Sequence, residues 1–390
     1  RSSDLQNIYK IAVRECGIII KNPIYWFCMV LFPVIVIYFF TSLMQSGVPT
    51  DMPVGVVDLD NTATTRAMIR KLDAFQSTKV IASYNNVNEA RRAIQENKIY
   101  AFLYIPRGTT SGLMSASQPK ISFYYSNVTL VAGSLLYRDL KTISALGSAA
   151  VGKQKLSAFG KTEGEIRTFL QPIAIDLHMI GNPWANYNVY LSTVMVPGLL
   201  MLFVFLLTPY SIGTELKFKR SKEWMAMAEN KTWVALTGKF LPQTIIFLAI
   251  FYGFEFYIYG VMDFPHPGGV WSMLLLGLLA VTSAEGFGIF TFGLIPSLRM
   301  SMSVCSLWSV VSFSACGATF PAFAMSPIIE GIAQLFPLRH YYMVYQMNIF
   351  NGFPLMDAWF NLSALVLFSI LPIFTMWNIK RSMLLYDYIP

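Results

Sequence analysis

The stretch SIGTELKFKRSKEWMAMAENKTWVALTGKFLPQ, residues 211–243, decides the fold because it connects two apolar segments, 187–209 and 240–260. Each segment is long enough to cross a bilayer. The stretch itself carries six cations: Lys217, Lys219, Arg220, Lys222, Lys231 and Lys239. Loops that stay in the cytoplasm are enriched in lysine and arginine, so the stretch predicts a cytoplasmic loop between two membrane spans.

The middle of this loop combines charged and apolar residues. Lysines precede Trp224, and the four residues from Met225 to Ala228 follow it without a charge. This pattern predicts a helix within 211–239 that lies at the membrane surface, where it buries its apolar side and keeps its charges in water. A helix in this place is positioned to receive force from a partner protein.

The composition indicates an integral membrane protein. Hydrophobic residues make up 55% of the 390 residues and charged residues 13%, with a mean hydropathy of +0.50. A soluble globule of this length needs more polar surface. The net charge of +8 does not indicate nucleic-acid binding, because the cations lie mainly beside apolar segments. The four cysteines and three histidines are scattered, so neither a disulfide framework nor a metal site is predicted.

The first domain, residues 1–45, is predicted to hold an interfacial helix and the first span. Residues 4–21 place apolar side chains at helical spacing with three cations between them, which is typical of a helix on the inner membrane surface. Residues 24–44 contain no charge and are long enough to cross the membrane.

Residues 46–185 form the substantial hydrophilic insertion, which is expected on the side of the membrane opposite the cationic loop. Strand and helix signals alternate in its first part. Strands are predicted at 53–60, 79–84, 100–106 and 120–126, and helices at 64–75 and 87–97. From residue 128 to about 170 the pattern becomes helical. The order predicts an inserted extracytoplasmic α/β domain.

Residues 186–390 hold the remaining crossings. Beyond the two spans that flank the loop, further spans are predicted at 270–295, 301–322 and 359–377. The fold class predicted is therefore an α-helical polytopic membrane protein with six transmembrane helices and an inserted α/β domain. Six crossings place both termini in the cytoplasm, beside most of the flanking cations.

Prolines interrupt the region between the last two spans. Residues 323–345 are predicted to form an outer re-entrant segment, a pair of short helices that dips into the outer leaflet. The stretch HYYMVYQ, residues 340–346, is predicted to be amphipathic and to lie at the membrane interface, which tyrosine prefers.

Two motifs and the order of the spans resemble the permease subunit of an ABC-2-type exporter, in the bacterial branch with a large insertion after the first span. The first motif is GTELKFKRSKEWMAM (213–227) with GKFLPQ (238–243), and the second is FPAFAMSPIIEGIAQLFPLRHYY (320–342). The resemblance covers essentially the whole chain. One departure is MAMAENKTW (225–233), which stands where the family tends to carry a Leu-Leu-Val-Thr-Pro-like run.

The resemblance implies how the chain works. Two permease subunits, identical or different, would be driven by a cytoplasmic ABC ATPase dimer, whose closure the loop helix transmits. Carried onto this chain, the ATPase-coupling candidates are Glu215, Lys217, Arg220, Glu223 and Trp224. The alternative is that these cations only fix the orientation and bind anionic membrane lipid. No cofactor is expected in this chain, since ATP and Mg would bind to the partner ATPase.

The resemblance also implies a location, further partners and a cargo. The bacterial inner membrane is the expected location, and a periplasmic adaptor protein and an outer-membrane channel are the expected partners of the large insertion. Drug-like or amphipathic compounds are then the expected substrates. Export of lipid-linked compounds or polysaccharides is the alternative.

Two motifs could indicate an enzyme instead. KLSAFGKT (155–162) has Lys155 where a phosphate-binding loop requires its first glycine. VGVVDLDNTATT (54–65) fits the pattern of a haloacid-dehalogenase-type phosphotransferase, with Asp58 as nucleophile and Asp60 as acid and base. A membrane-anchored phosphatase or sensor acting through 46–185 is thus an alternative. The preferred interpretation is a strand-to-helix turn in which Asp60 or Asn61 caps the helix.

Two carboxylates lie within predicted spans, Glu255 in the third and Glu285 in the fourth. An ionised group at membrane depth costs at least roughly 2.5–3.5 kcal/mol, so such groups usually face a bundle interior or a wet path. We therefore expect Glu255 and Glu285 to line the translocation path or to hold a polar relay. A hydrogen-bonded carboxyl that only fixes neighbouring helices is the alternative.

Overall fold

A computed structural model describes residues 2–115, 117–172, 178, 181–182 and 184–388. The chain divides into two units, a helical unit (Arg1–Gln45 with Met179–Pro390) and an α/β unit (Ser46–His178). The predicted end of the insertion, at residue 185, adjoins positions 173–177, 179–180 and 183, which lie outside the described residues.

The described residues form mainly helices, together with one group of strands. In chain order, the helices are α1 (Ser2–Lys21), α2 (Pro23–Leu43), α3 (Ala63–Asp73), α4 (Val87–Gln95), α5 (Thr109–Met114), α6 (Leu130–Ala158), α7 (Glu163–Leu170), α8 (Tyr187–Lys217), α9 (Ser221–Met227), α10 (Thr232–Val261), α11 (Val270–Leu294), α12 (Leu298–Ala315), α13 (Pro327–Ala333), α14 (Pro337–Val344) and α15 (Leu355–Leu385). The strands are β1 (Met52–Asp58), β2 (Thr78–Ser83), β3 (Ala101–Ile105) and β4 (Ser122–Tyr125).

The residue between α1 and α2 explains why one helix ends and the next begins. Asn22 has an extended backbone, and its side chain accepts a hydrogen bond from the backbone N–H of Ile24. Pro23 occupies the first position of α2, where its missing N–H costs no hydrogen bond. The interfacial helix and the first span are therefore separate helices.

Five of the described helices are long and apolar enough to cross a membrane: α2, α8, α10, α11 and α15. Of the most apolar stretch of α8, 72% is buried, against 28% for α2 and 22% for α15. Helix α8 is therefore central in the helical unit, and α2 and α15 are peripheral. The multi-pass membrane class predicted from the sequence is confirmed at this level.

The predicted fifth span, 301–322, is not among these five helices. The corresponding helix, α12, begins at Leu298 and ends at Ala315, so it has 18 residues and includes Arg299. Serines at several positions within it lower its hydropathy further. Length and composition alone therefore do not make α12 a span.

The segment 211–239 is not one continuous surface helix, although the helix predicted around Trp224 is present as the short α9. Helix α8 continues to Lys217, α9 is short, and α10 already begins at Thr232. The breaks occur at Lys219, Glu229 and Asn230, whose φ angles of 57°, 53° and 59° are incompatible with a continuing right-handed helix. The loop is thus two tight turns with a short helix between them.

The segment after α12 contains two short helices, as the proline pattern predicts. Helix α13 exposes Ile328, Ile329 and Ile332, whereas every residue of α14 is buried. The interface prediction for HYYMVYQ is wrong, because this stretch belongs to α14 and the π-helical turn Tyr345–Phe350 that continues it. Its tyrosines pack against neighbouring helices, which periodicity alone cannot distinguish from an interfacial stripe.

The α/β unit contains a four-stranded sheet in the order β2-β1-β3-β4. Strand β1 pairs in parallel with β2 and β3, and β4 pairs antiparallel with β3. One face of the sheet, with Val54 and Leu103, packs on α3 and α6, and the other, with Val57 and Phe102, packs on α4. Alternate residues of a strand point to opposite faces, which explains the apolar run in β1. The structure has a strand at each of the four positions predicted.

Candidate functional site: a buried charge cluster

Three ionisable side chains from different helices meet at the cationic end of the helical unit. The Nζ atom of Lys239 (α10) donates to Glu15 Oε2 (α1) at 2.8 Å and to Glu215 Oε1 (α8) at 2.7 Å. None of the three side chains is more than 1% exposed. Buried charges are tolerated only when they are paired, so this cation binds the three helices to one another.

Arg14 adds a second cation to the same cluster. Its two terminal nitrogens donate to Glu215 Oε1 at 3.0 Å and Oε2 at 2.8 Å. This bidentate arrangement is the strongest form of a carboxylate pair and fixes its orientation. With Arg14 and Lys239 opposite Glu15 and Glu215, the cluster is electrically balanced.

Two neutral side chains complete the hydrogen bonding. Gln243 donates from Nε2 to Glu15 Oε1 at 3.0 Å and to Ser211 Oγ at 2.7 Å. The Ser211 hydroxyl in turn donates to Glu15 Oε1 at 3.3 Å. Both oxygens of Glu15 therefore have partners although the side chain is fully buried. We call these six residues, Arg14, Glu15, Ser211, Glu215, Lys239 and Gln243, the charge cluster.

Helix α9 covers the charge cluster through Trp224. The indole Nε1 donates to the backbone oxygen of Ala235 at 3.3 Å, and Lys239 Nζ lies 5.2 Å from the centre of the ring. Trp224 and Met225 are fully buried among side chains of α1, α8, α10, α11 and α15. The apolar side of α9 is thus covered by protein, and the prediction that it is buried in the membrane surface is wrong.

A second, exposed set of contacts fastens α1 to the turn before α10. Lys231 Nζ donates to Asp4 at 2.7 Å and to Glu229 at 3.2 Å, and Asn7 donates to Glu229 at 3.2 Å. The hydrogen bond from Lys231 lowers the pKa of Asp4, and the reciprocal bond raises the pKa of Lys231. The N-terminal helix is therefore held at both its start and its middle.

The structure divides the five predicted coupling residues by exposure. Glu215 and Trp224 are buried, Lys217 and Glu223 are exposed, and Arg220 is half-buried with its Nε atom 3.9 Å from Glu215 Oε2. Only the exposed residues are available to a partner chain. Glu215 and Trp224 instead hold the helices that carry them.

Sequence reasoning misses most of the charge cluster. It treats Lys239 only as a cation that sets orientation, and it gives Glu15 and Gln243 no role. A signal is present, since Glu15 lies within an otherwise apolar and cationic stretch and Lys239 lies at a predicted span boundary. The pairing itself joins residues that are 224 positions apart, which no local pattern reports.

The two intramembrane carboxylates lie elsewhere in the helical unit. Thr244 donates to Glu285 Oε2 at 2.7 Å, while Glu285 Oε1 is buried with no hydrogen-bond partner among the described residues. Glu255 is 8% exposed and ends the α-helical part of α10, directly before a π-helical turn, Phe256–Val261. Neither carboxylate is hydrogen-bonded to the charge cluster in the described ranges.

The aspartates of the phosphotransferase-like motif are engaged in internal hydrogen bonds. Asp58 accepts from the backbone N–H groups of Asp60 and Asn61 and from the Thr65 hydroxyl, at 3.0, 2.9 and 2.7 Å. Asp60 accepts from Gly108 N–H at 2.8 Å and from the Thr110 N–H and hydroxyl at 3.0 and 2.6 Å.

These hydrogen bonds agree with the interpretation of this stretch as a strand-to-helix turn. The Thr110 hydroxyl and N–H lower the pKa of Asp60 below its ordinary value, as expected for a carboxylate that fixes a helix start. The residue that caps α3 is Thr62, so the expectation that Asp60 or Asn61 caps this helix is wrong. Within the described ranges no group of three or more potential metal ligands is present.

Comparison with known proteins adds one positive finding. A family model described as ABC-2 family transporter protein matches residues 23–377. A search of curated proteins found no match to the chain.

Proposed function

The chain belongs to the ABC-2 family of transporter membrane proteins, which work with a separate ABC ATPase, and from this premise we propose that it is the permease subunit of an ATP-driven exporter. In this proposal the charge cluster and α9 couple the permease to the ATPase. ATP and magnesium bind to the partner chain, and this chain needs no cofactor of its own.

The observation that carries the proposal is that three helices share one buried charge cluster and a fourth helix covers it. Lys239 and Arg14 join α1, α8 and α10, and α9 lies over the cluster through Trp224. Separating a buried ion pair leaves an uncompensated charge and costs about 3–5 kcal/mol. A push on α9 therefore displaces the four helices together rather than bending the loop alone.

The exposed face of α9 is the proposed contact with the ATPase. Lys217, Lys222 and Glu223 are exposed on this side, and Arg220 lies at its edge. Charged side chains around an apolar contact steer association and set its orientation. These cations also lie where positive-inside topology places anionic lipid, so membrane lipid is a further proposed partner.

We place the loop in the cytoplasm and propose six crossings, with α12 as the fifth. Its 18 residues extend about 27 Å at 1.5 Å per residue, slightly less than the roughly 30 Å hydrocarbon core. With α12 included, both termini are cytoplasmic and the α/β unit is extracytoplasmic, in a bacterial inner membrane. A second permease subunit, identical or different, completes the transmembrane pathway.

Drug-like or amphipathic compounds are the proposed cargo, with Glu255 and Glu285 on the path or in a polar relay. Both carboxylates are buried in the helical unit, and neither forms an ion pair in the part of the chain that the structure describes. The α/β unit is the proposed docking site for a periplasmic adaptor protein, which would lead to an outer-membrane channel. Export of lipid-linked compounds or polysaccharides is the alternative cargo.

A pull-down from detergent-solubilised native membranes tests the proposal. The charge-swapped variant Lys217→Glu with Glu223→Lys changes only exposed side chains near α9. The matched control, Glu96→Lys with Lys98→Glu, swaps an exposed pair in the α/β unit. We expect the wild type and the control to recover a nucleotide-binding subunit and the α9 variant to lose it.

Two results would contradict the proposal. If the α9 variant recovers as much ATPase as the wild type, the proposed coupling role of α9 is contradicted. Absence of any nucleotide-binding subunit from intact wild-type protein removes the exporter assignment itself. Size-exclusion profiles of all three proteins serve as the check that folding is preserved.

A further inference from the structure

A second functional feature lies far from the charge cluster on the same helix. Glu255 follows Lys239 by 16 residues, which corresponds to about 24 Å along α10. In the described ranges no cation pairs with the Glu255 carboxylate and no side chain donates to it. The charge cluster shows that this chain supplies partners to buried charges elsewhere, so the isolation of Glu255 requires a different explanation.

Four tyrosines lie close enough to Glu255 to interact with it electrostatically, and three of them are buried: Tyr259, Tyr341 and Tyr345. Tyr259 is 8% exposed, and the other two are 3% and 4% exposed. The rings of Tyr341 and Tyr345 are stacked with centres 6.4 Å apart. Phe251, one turn before Glu255, contacts the Tyr341 ring edge-to-face at 5.9 Å. Glu255 therefore lies beside a group of buried aromatic rings, and we call this region the enclosure.

The Tyr345 hydroxyl is a second polar group in this enclosure. It is buried beside the Tyr259 and Thr193 side chains, which lie at the edge of hydrogen-bonding geometry. An acidic side chain that is buried without a counter-ion among the described residues, beside tyrosine hydroxyls, matches a ligand that carries positive charge.

The backbone on both sides of the enclosure is irregular in the same way. Glu255 is followed by the π-helical turn Phe256–Val261, and Tyr345 begins the π-helical turn Tyr345–Phe350. Such turns are rare and are often found at functional sites, because they rotate side chains out of the regular helical register. Here one such turn carries Tyr259 and the other carries Tyr345.

We propose that Glu255 and the surrounding tyrosines form a binding site for an organic cation with an apolar body. The carboxylate matches an ammonium or phosphonium charge, and aromatic rings attract such cations through their faces. The neighbouring Phe254 and Ile258, which are almost fully buried, supply the apolar wall. Organic cations of this kind are then a substrate class of the exporter. This role in transport rests on the proposed function.

Equilibrium dialysis of the purified full chain in nanodiscs tests the binding site directly. Tetraphenylphosphonium is the cationic probe, and tetraphenylborate, an anion of the same shape, is its control. We expect saturable binding of the cation alone, after subtraction of empty nanodiscs. Glu255→Gln is expected to weaken binding at least about tenfold, and Tyr345→Phe by a smaller factor because the ring is retained.

The matched control variant is Asp357→Asn, which removes an exposed carboxylate in the first turn of α15. It should bind the cation as the wild type does, since only Glu255 lies in the enclosure. Lack of saturable cation binding by the wild type overturns the inference whatever the variants do. Equal affinity of Glu255→Gln and wild type overturns it too, as does equal binding of the anion.

Failure of the cation-binding proposal can be distinguished from failure of the proposed exporter function. Binding is measured on the permease alone, whereas the exporter assignment depends on recovery of an ATPase in the pull-down. If the ATPase is recovered but the cation does not bind, the binding-site proposal fails and the exporter assignment stands. If the cation binds but no ATPase is recovered, the site stands and the exporter assignment fails.

Discussion

At the residue scale, two buried acids of this chain illustrate opposite situations. Glu15 has partners for both oxygens, from Lys239, Gln243 and Ser211, and it joins helices. Glu255 has none among the described residues, and its enclosure is aromatic. Both side chains are largely buried. The presence or absence of hydrogen-bonding partners therefore distinguishes a structural carboxylate from a candidate binding group.

The substitution Lys239→Met tests the charge cluster at this scale. It removes the cation between Glu15 and Glu215 while keeping most of the side-chain volume, so one buried negative charge is left uncompensated. We expect a loss of about 3–5 kcal/mol in folding stability. Thermal melting in detergent, followed by fluorescence-detected size exclusion, measures the change.

Two variants serve as controls for this substitution. Lys217→Met changes an exposed lysine of the same loop and should alter stability by no more than about 0.5 kcal/mol. The double variant Lys239→Met with Glu15→Gln removes both charges and should regain much of the loss. A melting temperature for Lys239→Met equal to that of Lys217→Met would show that the cluster contributes no net stability.

At the element scale, α1 functions as part of the helical unit rather than as a separate membrane anchor. Its polar side reaches α8 and α10 through Arg14 and Glu15, and its Ile11 is fully buried. The opposite stripe exposes Leu5, Tyr9 and Ile20, which fits a helix lying on a membrane surface. The helix thus packs one side on protein and leaves an apolar stripe exposed on the other.

The contact between α1 and α10 is close enough to require glycine. A Cβ atom at Gly238 would lie 2.8 Å from Ile11 Cβ and 3.0 Å from the backbone oxygen of Ile8. We expect Gly238→Ala to separate the two helices and to lower stability by about 1–3 kcal/mol. In the pull-down, it should also reduce recovery of the ATPase, because the charge cluster shares this contact.

The same helix offers a matched control for the glycine. A Cβ at Gly253 meets nothing within 4 Å, so Gly253→Ala should be neutral or stabilise by up to about 1 kcal/mol. Identical melting temperatures for the two alanine variants would mean that the contact between α1 and α10 accommodates the added methyl group without loss of stability. Both variants are measured in the same detergent.

At the scale of the whole molecule, the number of membrane crossings sets the side on which each terminus lies. Five described helices meet the length and hydropathy of a span, and α12 does not. An odd number of crossings would place the termini on opposite sides. The cation-rich loop and the last cations, Lys380 and Arg381, share one side only if α12 crosses as well.

Cysteine labelling decides the number of crossings. In a variant with all four cysteines replaced by serine, single cysteines are placed at Met300 and Thr319, on either end of α12, where both side chains are exposed. A membrane-impermeant maleimide should label Thr319→Cys in intact cells and Met300→Cys only after permeabilisation. Lys217→Cys and Ser117→Cys mark the inner and outer sides, and labelling of both ends of α12 from one side would rule out six crossings.

The sequence by itself determined the class of the protein and the positions of most elements. Apolar length and cation placement are local properties, so they identified a multi-pass membrane protein with a cationic loop. The strand signals of the insertion placed the four strands, and prolines placed the two short helices α13 and α14. The family match agrees with the resemblance that these local features carried.

The tertiary structure alone decided which charges meet. A sequence shows the sign and number of charges, but not which of Arg14, Lys231 and Lys239 approaches which acid, because pairing depends on how separate helices pack. The membrane prediction for the apolar side of α9 failed for the same reason, since lipid and protein bury a hydrophobic stripe equally well. The charge cluster and the enclosure of Glu255 exist only where helices distant in sequence come together.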